Sequence, residues 1–96
     1  MRQINPGLIG NRLYNEPLAG TIDGANKVFT TSRPFLRTGG FLEAVHLRGM
    51  RRSEGPGEDY EAVESGGVGT GYDTVVFLNP PRSGDILLID YFPAGP

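Results

Sequence analysis

Two short apolar runs near the C-terminal end constrain this chain more than any other feature. Thr74–Leu78 reads T-V-V-F-L and Ile86–Tyr91 reads I-L-L-I-D-Y, with Asn79, Pro80, Pro81, Arg82, Ser83 and Gly84 in the stretch between them. Each run is too short for a helix and rich in β-branched or aromatic residues. The connection carries Pro and Gly, so the stretch predicts a β-hairpin. Both faces of each run are apolar: Val75 and Phe77 against Val76 and Leu78, then Leu87, Ile89 and Tyr91 against Ile86 and Leu88. A strand with one face in water would alternate with polar residues. These strands are therefore expected at the centre of a two-layer β structure, or with their second face covered by another chain.

Glycine and proline punctuate the rest. Fifteen Gly and eight Pro in 96 residues argue against helices and recur roughly every 8–12 residues, the spacing of an all-β sandwich or barrel. The expected fold is a small antiparallel β-sandwich of about six to eight short strands with an extended N-terminal arm. Residues 1–19 read as the arm, 20–92 as the sandwich and 93–96 as a C-terminal tail. A chain this short is one domain and buries only roughly 60–65% of the surface that its unfolded form exposes. It has no cysteine and one histidine, which leaves neither a disulfide framework nor a Cys- or His-cluster metal site to staple it. Small chains without staples often gain stability by assembling.

The arm holds Ile4, Leu8, Ile9, Leu13, Tyr14 and Leu18, broken by Pro6, Gly7, Gly10, Pro17 and Gly20. Disordered tails are usually poor in such residues, and terminal segments order only when tied down. The six apolar residues are thus expected to order against a neighbouring subunit. Asp23, Gly24 and Asn26 predict a tight turn between Thr21–Ile22 and Lys27–Thr31. No D-x-D-x-D-G loop follows that would make them calcium ligands. Residues 32–40 read as a connection and 41–48 as the longest strand. Residues 47–50 read as a hairpin turn into a short return strand. Residues 58–64 alternate Tyr60 and Ala62 with Glu61 and Val63, a pattern suited to an edge strand. Phe92–Pro96 reads as a terminator with nothing to pack.

No catalytic constellation emerges, and the chain is read as a non-enzyme without a cofactor. His46 sits mid-strand with no acid at a motif spacing. The carboxylate pairs Glu58/Asp59 and Asp85/Asp90 sit beside turns and strand ends, where solvated or capping acids are common. The glycines of G-G-V-G-T-G (66–71) lack the Lys-Ser/Thr and the following helix of a phosphate loop. At a net charge of −2, Arg48, Arg51 and Arg52 are followed at once by Glu54, Glu58 and Asp59. That leaves no basic footprint for nucleic acid. No apolar run approaches the ~20 residues of a membrane span, and Met1–Pro6 lacks the apolar core of a secretory signal. A soluble, assembling protein made in the cytoplasm is expected, with no direct nucleic-acid or membrane partner. Arginine is enriched at protein interfaces because its planar fork grips carboxylates. Arg48, Arg51 and Arg52 read either as a solvated hairpin tip or as a docking patch for an acidic neighbour.

Taken in order, several short motifs resemble a small β-sandwich domain recurrent in tailed-bacteriophage structural proteins. They are Gly20, Asp23, Gly24, Asn26, Phe29 and Thr30; then Val45, Leu47, Gly49 and Arg51; then Gly57, Asp59 and Tyr60; then Thr74, Phe77, Pro81, Gly84, Asp85, Leu87, Asp90 and Tyr91. His46 and Arg48 stand where that pattern carries an aromatic residue and Asn. The resemblance implies a virion component: a small neck, tail or fibre-attachment subunit docked through its arm. Its partners would be other virion structural proteins, met as a homo-oligomer or a ring-docked subunit. A capsid decoration protein is the nearest alternative. A carbohydrate-binding module for host glycans is a second, which would need Tyr60, Tyr72 or Tyr91 as sugar platforms.

Overall fold

The structure is a computed structural model that describes residues 12–37 and 42–94. Among these residues there are seven strands and no helix: β1 Leu13–Pro17, β2 Val28–Phe35, β3 Ala44–Leu47, β4 Met50–Arg51, β5 Tyr60–Val63, β6 Tyr72–Phe77 and β7 Leu87–Tyr91. They pair into two antiparallel sheets, β1-β7-β3-β4 and β2-β6-β5. The protein is a small all-β sandwich, as the punctuation and alternation predict.

The two apolar runs become β6 and β7, but they do not form a hairpin. β6 is the central strand of one sheet and β7 an inner strand of the other. Hairpin pairing favours a short turn whose twist matches the strands. Here Pro80 and Pro81 supply no N–H for a ladder, and Pro81 is buried with its carbonyl accepting the Gly24 N–H at 2.9 Å. The connection therefore arches from one layer to the other. Val75 and Phe77 then meet Leu87, Ile89 and Tyr91 across the core, all of them buried. Phe29 packs edge-on to Phe77 at 5.8 Å, and Phe35 lies 5.7 Å from the Tyr91 ring.

The arm boundary is corrected. Leu13–Pro17 is a sheet strand, Leu13 packs against the core and Leu18 is only 5% exposed. These two residues are not free for a neighbour. Ile4, Leu8 and Ile9 lie outside the described residues. β1 escapes simple alternation because it carries a bulge: Leu13 faces Tyr91 and Glu16 faces Ile89, one residue too many on β1. Asn15 takes a φ of 56° there and gives its N–H to Asp90 Oδ1 at 2.7 Å. The bulge brings Leu13 and Glu16 to the same, inner face. After Leu18 the chain crosses to the other sheet, where Ala19 and Thr30 exchange hydrogen bonds of 2.8 and 2.9 Å. Gly20, which read as a breaker, has a φ of 148°, and a Cβ there would lie 2.5 Å from the Phe29 ring.

The tail is corrected too. Pro93 is buried and bridges to Phe35, Ala94 N–H donates to the Pro34 carbonyl at 2.8 Å, and Leu36 N–H donates to the Phe92 carbonyl at 2.9 Å. Residues 32–35, which read as connection, instead extend β2. At eight residues β2, and not the four-residue β3, is the longest described strand. Pro34 lies at a sheet edge, where a missing N–H is tolerated. At the other turns the local chemistry acts as expected. Asp23 Oδ1 accepts the N–H groups of Ala25 and Asn26, each at 2.9 Å. Arg48 and Gly49 take φ values of 54° and 81° in the β3–β4 turn, the left-handed pair that a two-residue hairpin needs.

Replacing Gly20 with Ala should destabilise the protein by about 2 kcal/mol or more, because the new methyl meets a fixed ring. Gly24→Ala, also at positive φ but facing open space, should cost about 1 kcal/mol. Urea denaturation of the two variants measures the difference.

Candidate docking surface

A two-sheet sandwich leaves edge strands whose N–H groups need partners. Here carboxylates supply several of them. On one side Glu16 accepts Ser32 N–H and Ser32 Oγ, both at 2.9 Å, and the Tyr91 hydroxyl at 2.8 Å. Burial alone would raise its pKa. The Ser32 N–H, the two hydroxyls and nearby Arg33 outweigh that and hold it below the usual carboxylate range. On the other side Glu54 accepts the Ala62 N–H of β5 and Arg37 Nη2, both at 3.1 Å. Tyr60 N–H reaches the Ser53 carbonyl beside it. Arg37 Nε also holds Glu43 at 2.7 Å, and Glu43, 3% exposed, takes the Tyr60 hydroxyl at 2.5 Å. Burial and this neighbouring carboxylate push the Tyr60 hydroxyl far above its ordinary pKa. The outer edges of β2 and β5 are thereby spent within the chain. Adding a partner's strand there would first have to displace these bonds.

The three predicted arginines come together at one end of the sandwich, in three different settings. Arg48 Nη1 lies 3.4 Å from Asp85 Oδ1, and its N–H holds the Ile86 carbonyl. Arg51 is exposed on the outer face, across from His46. Arg52 is half-buried. Its N–H reaches the Val45 carbonyl, and its Nε is buried with no acceptor among the described residues. Arg52 forms the wall between two clefts. One, of about 400 Å³, is lined by Arg37, Glu43, Arg51, Glu54 and Tyr60. The other, of about 280 Å³, is lined by Leu47, Arg48, Asp59, Phe77, Pro81, Arg82 and Asp85. Arg82 was missed from the sequence because it lies thirty residues along the chain from Arg52. Its only signal was a cation inside the Pro-Pro-Arg-Ser-Gly connection.

Other sequence candidates resolve into structural roles. In the glycine-rich loop, Gly69 and Gly71 N–H groups point at Glu64 Oε2 at 3.0 and 2.9 Å, so they are occupied by a carboxylate of the chain itself. Tyr60 and Tyr91 are 2% and 0% exposed, and Tyr72 packs on Phe35 beneath the Arg37 guanidinium. None of the three offers a flat platform to a sugar ring. Tyr14 does stand out into solvent at 66% exposure, with the Arg12 guanidinium 5.6 Å from its ring centre. Among the described residues no helix is long and apolar enough to cross a membrane. No family model, curated protein or solved structure matches the chain.

Glu16→Gln should cost about 1–3 kcal/mol at pH 7, since an amide cannot accept from all three donors. The native carboxyl has a lower pKa folded than unfolded. Its contribution is therefore full above the unfolded value of about 4.3 and is lost as pH falls through the folded one. The stability gap between wild type and variant should narrow between pH 5 and pH 3, as read from urea midpoints across that range.

Proposed function

We propose that this protein is a structural subunit of a tailed-bacteriophage particle, at the neck or tail or at a fibre attachment. In this reading it docks on other virion proteins rather than catalysing a reaction. The observation that carries the proposal is the disposition of contacts. The outer edges of β2 and β5 are closed by groups of the same chain. Among the groups that face outward are Tyr14 on β1 and the arginine end of the sandwich. The segment before Arg12, with Ile4, Leu8 and Ile9, joins the domain at β1. A neighbour is met through that segment and the arginine end, while the sandwich projects or bridges. The resemblance of the ordered motifs to those of phage sandwich domains is what names the particle in this reading.

The docking contact is narrower than the sequence suggests. Leu13 and Leu18 serve the core, which leaves Ile4, Leu8, Ile9 and Tyr14 together with Arg48, Arg51 and Arg52. The glycan-binding alternative loses Tyr60 and Tyr91 as platforms, because both are interior. The decoration-protein alternative shares the docking chemistry and differs in copy number.

Changing Ile4, Leu8 and Ile9 together to Ser should abolish incorporation into particles while leaving the urea midpoint of the isolated protein unchanged. Leu13 is left intact because its loss would confound folding with docking. Incorporation of the triple variant at the wild-type level would contradict docking through this segment.

A further inference from the structure

We propose that the cleft between the β3–β4 turn and the β6–β7 connection is a socket for one carboxylate, the Asp or Glu side chain of a partner protein, gripped by Arg52 and Arg82. The identity of the partner as another particle subunit rests on the function proposed above. The chemistry of the socket rests on the cleft itself.

Its charged lining is three arginines, Arg48, Arg52 and Arg82, and two aspartates, Asp59 and Asp85. Three positive charges less two negative leave a sum of +1, so one negative charge completes it. The aspartates are already committed. Asp85 holds Arg48 and accepts the Arg82 N–H at 2.8 Å, and Asp59 accepts the Ser53 N–H at 2.9 Å. Among the described residues the ion pairs are Arg37 with Glu43 and Glu54, and Arg48 with Asp85. The Arg52 and Arg82 guanidinium groups take part in none. Arg52 is also the group whose Nε is buried without an acceptor, and a partly desolvated guanidinium is costly until an anion pairs with it.

The geometry favours a carboxylate over a phosphate. A guanidinium fork matches a planar carboxylate in two places, whereas a dianion would sit against Asp59 and Asp85. It also favours a side chain over a free ion. Leu47, Phe77 and Pro81 line the cleft beside the charged groups. That surface suits an aliphatic neighbour of the acidic residue. Rigidity comes from the same contacts: Pro81 is clamped through its carbonyl by Gly24, and the turn at Arg48 is tied to Ile86.

The test is a titration of the isotopically labelled full chain, reading the arginine Nε–Hε signals by NMR. The probes are the capped peptide Ac-Gly-Leu-Glu-Leu-Gly-NH2, its Gln counterpart, sodium acetate and inorganic phosphate. The Glu peptide should shift the Arg52 and Arg82 signals saturably, and the Gln peptide should not. Arg82→Ala, at an exposed position, should weaken the Glu peptide at least about fivefold, whereas exposed Arg33→Ala on β2 should leave it unchanged. The proposal is overturned if neither signal moves, or if both peptides act alike. It is equally overturned if acetate or phosphate binds as tightly as the Glu peptide, which would show a general anion site. Failure here leaves docking through Ile4, Leu8 and Ile9 untouched, because that claim is read from particles and not from this cleft.

Discussion

The structure depends on carboxylates that stand in for missing strands. Where the two sheets part, Glu16 and Glu54 take N–H groups that no neighbouring strand reaches. The habit runs through the whole chain. Of eleven acidic residues, eight hold at least one backbone N–H: Glu16, Asp23, Glu54, Asp59, Glu64, Asp73, Asp85 and Asp90. A domain of this size has little apolar area to spare. Charge-assisted bonds to the backbone are roughly twice as strong as neutral ones, so they fix the turns and seams that a larger core would otherwise hold. The formal charge of −2 thus understates what the surface offers a partner. Its acids are largely engaged with the chain's own backbone, while several arginines are not.

The same economy explains what could be read from the sequence. Alternation located β5 as an edge strand, because Tyr60 and Ala62 turn inward and Glu61 and Val63 outward. The two-faced apolar runs marked β6 and β7 as inner strands, which they are. Their pairing was misread because a Pro-rich connection can close a hairpin or arch between layers, and local sequence does not separate the two. β1 was hidden by its bulge. One additional residue at Asn15 shifts the inward positions to Leu13 and Glu16, and no period-2 pattern survives. The role of Glu16 was illegible for a related reason: its partners, Ser32 and Tyr91, come from elements distant in sequence. Pro93 and Ala94 read as idle because their partners, Phe35 and Pro34, lie in a stretch that reads as a connection.

The candidate surface was legible in part. Arg48, Arg51 and Arg52 do gather at one end, but only folding brings Arg82 beside them and shows which carboxylates are already engaged. Arg48 is instructive. It occupies a left-handed turn position that Asn would take more readily, held there by Asp85 and by the Ile86 carbonyl. Its charge is thereby fixed at the cleft mouth, while Arg52 and Arg82 are left to meet something else. Closed edges on β2 and β5 turn strand addition away from that sheet, while an exposed Tyr14 and an arginine-lined cleft offer side chains for docking.

A protein built into a phage particle, as proposed, is detected in purified particles by quantitative mass spectrometry. The chain would be counted against the major capsid protein. The expected result is a low, fixed copy number, a small multiple set by the symmetry of the neck, tail or fibre ring. A count comparable to the capsid protein would contradict the neck or tail placement and favour a decoration role. Absence from the particles would contradict the structural role itself.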